Sequence, residues 1–261
     1  MIFRYLAGLL LVVLAAGCPA LPPAPPPVAP LAPEDVAARL RSRHQALQSF
    51  QAKGRVTLLS QERNYSGTGL LAGRLPSTLK VDILDFLGRS LLSFSSDGQE
   101  VRVLFPREAK LFHGPASPRN LAAFIPPALT LPQTLRLLVG ALPLNNGPPP
   151  VGEFDAAQGL YRLEWRAPNG AVRERLWVAA QELRPVKGEW YGEDGKVRFS
   201  FELGEYGSLP GSLPAKITIY TVTPKVELRL VYKEMQVNPP LKAEDLVLQA
   251  PPGVAQVPLA P

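Results

Sequence analysis

Between residues 160 and 203 this chain alternates apolar and polar side chains, and that pattern restricts its fold more than any other feature. Tyr161, Leu163 and Trp165 alternate with Arg162, Glu164 and Arg166, and Val197, Phe199 and Phe201 alternate with Arg198, Ser200 and Glu202. Successive side chains of an extended strand point to opposite faces, so this spacing specifies a sheet with one dry face and one wet face. Asn169-Gly170 and Asp194-Gly195 lie between such runs, and these dipeptides supply the positive φ that tight hairpin turns require. The sheet is therefore antiparallel and made of hairpins.

The same reading extends in both directions. Residues 55–60 lead through Gln61-Glu62-Arg63-Asn64 into residues 65–72, a further hairpin, and Gly54 ends any helical reading before it. Residues 79–84 alternate Leu79, Val81 and Ile83 with Lys80 and Asp82, a half-buried strand. Strands follow over 90–95, 100–105 and 110–112, with Asp97-Gly98 as a turn, and then over 159–167, 171–179, 185–191, 196–203, 215–222 and 225–233. About eleven short strands result.

Helical spacing is confined to three places. Pro33-Glu34-Asp35 suits a first turn, with acids at the positive end of the dipole, and Val36, Leu40, Leu47 and Phe50 form a stripe to about residue 49. Residues 120–124 and 132–139 are the others, with Leu131, Leu135, Leu138 and Val139 on one side and Pro126-Pro127 between them. A loop over 143–150 ends this segment. The expected fold class is mainly β with α: a large curved antiparallel sheet whose apolar face the two or three helices must cover.

The N-terminus has a separate logic. Arg4 precedes an uncharged apolar run over residues 6–16, too short for a permanent span of about 20 residues. A basic start, a short apolar middle and small residues at the end describe an export signal over residues 1–17. Ala15-Ala16-Gly17-Cys18 resembles a lipobox, with Ala15 where that motif usually has leucine. Cys18 is the only cysteine, so it has no disulfide partner, and an acylated thiol is the better use of it in an oxidising compartment. Cys18 is thus the expected lipid anchor. Residues 18–33, with Pro25-Pro26-Pro27 at their centre, form an extended tether. Pro19 follows the cysteine in place of an inner-membrane retention aspartate, which favours outer-membrane residence with the domain facing the periplasm.

About 220 residues remain, enough for one large domain, here placed at 34–240 with a C-terminal tail over 241–261 that is disordered at its end. The chain is 46% hydrophobic and carries a net charge of +6, with basic residues such as Arg162, Arg166, Arg173 and Arg175 dispersed. That describes a solvated basic surface or attraction to anionic lipid. Nucleic acid is excluded as a partner by export. His44 and His113 have no second ligand at metal spacing, and no G-x-S-x-G elbow occurs. Gly67, Gly69 and Gly73 approach a dinucleotide fingerprint but lie within a hairpin, with the third glycine one place late. The chain reads as neither an enzyme nor a cofactor or metal protein.

The order of elements, with Phe50-Gln51-Ala52-Lys53-Gly54-Arg55-Val56, Ser66-Gly67, Arg74-Leu75-Pro76, Leu79-Lys80-Val81-Asp82, Leu87-Gly88, Asp97-Gly98, Phe112-His113-Gly114 and Leu137-Leu138-Val139-Gly140, resembles the LolA/LolB group of periplasmic lipoprotein carriers and receptors. A chain that is itself a lipoprotein is most similar to the LolB branch. The resemblance spans about residues 34–235 and implies a half-barrel closed by helices over a cavity for acyl chains. On this reading Val81, Ile83, Phe94, Leu163, Trp165, Phe199 and Phe201 line the cavity from the sheet. Phe124, Leu135, Leu138 and Val139 line it from the lid. Phe86 and Leu87 would form a membrane-insertion loop. The implied partners are acyl chains of other lipoproteins, a LolA-like periplasmic carrier and the membrane. The alternative is an envelope interaction module, sensing or scaffolding, with its cavity filled by side chains.

Overall fold

In the computed structural model, residues 30–61, 64–122, 124–126, 128–144 and 147–260 are described. The expected signal segment, the expected lipid anchor Cys18 and the expected tether as far as residue 29 lie outside them. The period-two segments become two runs of hairpins. The first comprises β1 (Ser49–Ser60), β2 (Asn64–Arg74), β3 (Thr78–Leu84), β4 (Ser90–Ser96), β5 (Glu100–Phe105) and β6 (Lys110–Pro115). The second comprises β7 (Val151–Asp155), β8 (Leu160–Arg166), β9 (Val172–Ala179), β10 (Arg184–Tyr191), β11 (Val197–Tyr206), β12 (Pro214–Thr221) and β13 (Val226–Val237). With β14 (Ala255–Pro258) they form one open sheet of 14 strands, ordered β14-β6-β5-β4-β3-β2-β1-β13-β12-β11-β10-β9-β8-β7.

Each run is a meander of antiparallel neighbours, and the two meanders join where β1 pairs with β13, Val56 opposite Leu230. Gly54 does not break this segment. It sits inside β1 at a bulge, where a Cβ would come within 2.3 Å of the Val231 carbonyl oxygen, so only glycine permits so close an approach.

Among the described residues there are three α-helices: α1 (Pro33–Gln45), α2 (Pro118–Leu121) and α3 (Leu131–Leu138). Helix α1 ends at Gln45, four residues before the expected limit, because Ser49 and Phe50 are taken into β1. Asn238 staples this corner: its side-chain oxygen accepts from the Gln48 and Ser49 amides, and its amide donates to the Ala46 carbonyl. Val36, Ala37 and Leu40 enter the main core from α1. Helix α3 opens with a capping box in which the Gln133 amide donates to the Thr130 hydroxyl and the Thr130 amide donates back to the Gln133 side chain.

The expectation of about eleven strands and a disordered end is corrected here. Strand β7 is five residues long and carries Gly152, too little pattern for periodicity to register. Strand β14 lies in the proline-rich tail and pairs in parallel with β6, Val257 opposite Phe112. An edge strand tolerates proline because one side of its backbone needs no partner. The segment before it straps the outer face of the first meander. There Lys80 donates to the Asp245 carbonyl, Arg102 to the Leu248 carbonyl, and the Leu248 amide to Ser95 Oγ. Leu248 packs with Leu104 and Leu111 in a small cluster of their own.

The dispersed arginines are paired on the outer face of the second meander: Arg162 with Glu153, Arg166 and Arg175 with Glu164, and Arg173 with Glu193. Burial pushes the Glu164 carboxyl up, but hydrogen bonds from Arg166 and Arg175 outweigh it and hold the group below its ordinary 4.5.

Candidate functional site

The concave face of β1–β4 and β13 encloses an apolar hollow of about 90 Å³. Val56 and Leu58 come from β1, Tyr65 and Leu71 from β2, and Leu228 and Leu230 from β13. The wall of β3 and β4 consists of Leu79, Val81 and Ile83 facing Leu92 and Phe94. The roof is Phe124, Ile125 and Pro126, with Thr134 and Leu138 from α3. The Phe94 and Phe124 rings meet at 5.6 Å between centroids. Among the described residues, no charged side chain lines the hollow.

Beside the hollow, strand β2 is closely packed at its glycines. Gly67, Gly69 and Gly73 share one face of β2 with Tyr65 and Leu71, so three positions on that face carry no side chain. A Cβ at Gly69 would come within 2.3 Å of the Val56 side chain, and one at Gly73 within 2.5 Å of the Phe50 ring and 2.9 Å of Leu135. The glycine run rejected as a nucleotide fingerprint is thus a steric device that lets Phe50 and Leu135 approach the strand.

The lid is tied down at its far end. Tyr232, wholly buried, donates its hydroxyl to the Leu138 carbonyl at 2.7 Å, and burial raises its pKa far above the usual phenol range. Gly140 then turns the chain at φ 69°, with Pro214 directly against it.

Of the residues expected to line the cavity, Val81, Ile83, Phe94, Phe124 and Leu138 do so. The other six do not, and the expectation is corrected for them. Leu135 and Val139 are buried in the core without reaching the hollow. Leu163, Trp165 and Phe201 lie in the packed core of the second meander, and Phe199 beside them borders a separate hollow under the lid. Trp190 stacks on Phe199 at 5.0 Å and lies 5.3 Å from Phe201. Gly188 leaves room for this packing, since a Cβ there would come within 2.6 Å of both the Phe201 and the Trp190 rings. Alternation identified these side chains as inward-facing but carried no information on what stands opposite them. Sequence reasoning missed eleven of the lining residues, among them Val56, Leu58, Leu228 and Leu230, for which alternation along β1 and β13 was the available signal.

The hairpin that walls the cavity also carries the most exposed apolar residues. Phe86 is 92% exposed and Leu87 62%, at the tip between β3 and β4. The tip is tightly built. The Asp85 carboxylate accepts from the Leu87 amide at 2.9 Å, the Arg89 amide at 3.0 Å and Arg89 Nε at 2.8 Å. Gly88 takes φ 79°. Desolvation raises the Asp85 pKa, yet the hydrogen bonds from Arg89 and Leu87 together leave it below the ordinary value. Two large apolar side chains are therefore held outward by a fixed turn. Cys18 lies outside the described residues.

No family model matches the chain, and no curated protein matches it. Solved structures do. A domain assigned to outer membrane lipoprotein sorting from Vibrio parahaemolyticus superposes with a TM-score of 0.52 at 12% identity, over 82% of this chain and 95% of that one. A DUF1329 family protein from Desulfovibrio piger gives 0.53 at 12% identity, over 83% of this chain and all of that one. A LolA superfamily protein from Nitrosomonas europaea gives 0.49 at 15% identity, over 84% and 99%. The first two share this chain's fold, an open antiparallel-rich sheet with few helices.

Proposed function

We propose that this chain is a LolB-like outer-membrane lipoprotein, anchored through Cys18, that takes acyl chains of other lipoproteins into the cavity and releases them into the outer membrane. One observation carries the reading: the β3–β4 hairpin both walls the apolar cavity and presents Phe86 and Leu87 at its tip. A side chain that reaches lipid and a wall that holds hydrocarbon then belong to a single rigid element. Each methylene moved out of water contributes about 0.8 kcal/mol, so transfer can run downhill on relative affinity with no bond made or broken. The hollow of about 90 Å³ matches the volume of only a few water molecules. Uptake of a long chain therefore displaces the roof at Phe124, Ile125 and Pro126. A LolA-like carrier would supply the cargo.

The packed second meander favours a rival reading, an envelope sensor or scaffold with no lipid transfer. The test uses the chain carrying Phe86→Glu and Leu87→Glu, a triacylated lipopeptide and acceptor vesicles. Both residues are exposed, so the thermal midpoint stays unchanged, lipopeptide uptake persists and delivery to vesicles falls at least tenfold, the scale of losing one buried large side chain. Unchanged delivery would remove the loop from the mechanism. No uptake by the unaltered chain would leave the scaffold reading.

A further inference from the structure

The lid covers a second hollow on the side away from the acyl cavity. It is a groove of about 610 Å³, bounded by Trp190, Tyr191, Arg198 and Phe199 on the sheet and by Leu121 and Leu129 on the lid. Ile125 is the one described residue that lines both hollows. It is the partition between an apolar hollow and a more polar one.

The groove's lining has a defined chemistry. The stacked Trp190 and Phe199 rings provide a flat apolar floor. The buried Trp190 indole N–H has no acceptor among the described residues. Among the described residues no carboxylate lines the groove, and Arg198 is the one charged residue that does, exposed and without an ion pair to any described residue. Asp194, in the adjacent turn, accepts from the Lys196 amide. The other arginines of this meander that face outward, Arg162, Arg166, Arg173 and Arg175, are each matched to a glutamate, so the free guanidinium at the groove stands apart from its neighbours. A planar guanidinium presents paired donors that fit a phosphate.

We propose that the groove holds the headgroup of an anionic phospholipid whose hydrocarbon chain passes Ile125 into the acyl cavity, with Arg198 as the counter-charge. The proposal rests on the lipid-carrier reading of the cavity and extends it. The two chambers then sort one amphiphile by its parts, hydrocarbon behind the partition and anion in front of it.

Calorimetric titration tests this on the full chain carrying Cys18→Ser, with two lipids of equal chain length: lysophosphatidylglycerol, which is anionic, and monoacylglycerol, which is uncharged. The anionic lipid is expected to bind about tenfold more tightly, the scale of one charge-assisted hydrogen bond. Arg198→Gln should bring it to the level of the uncharged lipid, and Arg198→Lys should keep part of the preference. Val81→Trp, which fills the acyl cavity, should weaken both lipids alike. Equal binding of the two lipids by the unaltered chain, or a preference that survives Arg198→Gln, overturns the groove proposal and leaves the cavity reading standing. Uptake of neither lipid overturns both.

Discussion

Strands β10 and β11 turn Trp190, Phe199 and Phe201 toward one another, with ring centroids 5.0 and 5.3 Å from Trp190, whereas β3 and β4 turn Val81, Ile83, Leu92 and Phe94 toward a hollow of about 90 Å³. Both regions belong to one sheet and show the same alternation. They differ in what lies opposite. In the second meander the room left by Gly188 is taken by the Phe201 ring, and α1 adds its own apolar side chains to the core. In the first meander the room left by Gly69 and Gly73 is likewise taken, by Val56, Phe50 and Leu135, and the space that remains lies under the short roof at Phe124, Ile125 and Pro126. Apolar surface becomes core where the second layer supplies matching bulk, and becomes cavity where it does not.

The largest expected effect compares truncations in the two regions. Phe201 is fully buried among aromatic rings, so Phe201→Ala should cost about 3–5 kcal/mol in denaturant unfolding. Leu92 is half-buried against the hollow, so Leu92→Ala should cost well under that, about 1 kcal/mol, while changing lipid affinity. Equal costs would mean that the two regions are packed alike and would remove the comparison.

A smaller effect is expected at the lid's fastening. Tyr232→Phe leaves the buried Leu138 carbonyl without its hydrogen bond, a loss of about 1–3 kcal/mol. Because the break frees the lid and spares the sheet, acyl uptake in stopped-flow mixing should become faster while equilibrium stability falls. Slower or unchanged uptake would show that the roof moves elsewhere.

The smallest effect lies on the outer face of the filled meander. The Glu164 pKa is depressed in the folded chain, so its contribution to stability is complete above about pH 4.5 and is lost as pH falls through the depressed value. The amplitude should stay under about 1 kcal/mol, because solvent screens the pair. Glu164→Gln should flatten the thermal midpoint between pH 5 and pH 3 relative to the unaltered chain, about the ordinary 4.5 of this side chain. An unchanged slope would assign the acid sensitivity to Asp85 or another carboxylate.

The sequence by itself determined the local structure: the strand runs, the hairpins at Asn169-Gly170 and Asp194-Gly195, and the lid helix after Thr130. Each rests on interactions between residues a few positions apart, which leave a period in the chain. The loop at Phe86 and Leu87 could be located from the sequence, but only the fold holds its side chains outward, through Asp85. Tertiary structure alone decided which inward-facing residues line a cavity. Leu163 and Val81 carry the same alternation, yet one meets core and the other meets space. It also decided that β14 closes one edge from a proline-rich tail, and that Ile125 stands between two hollows. A cavity depends on what distant segments fail to fill, and no local periodicity records that.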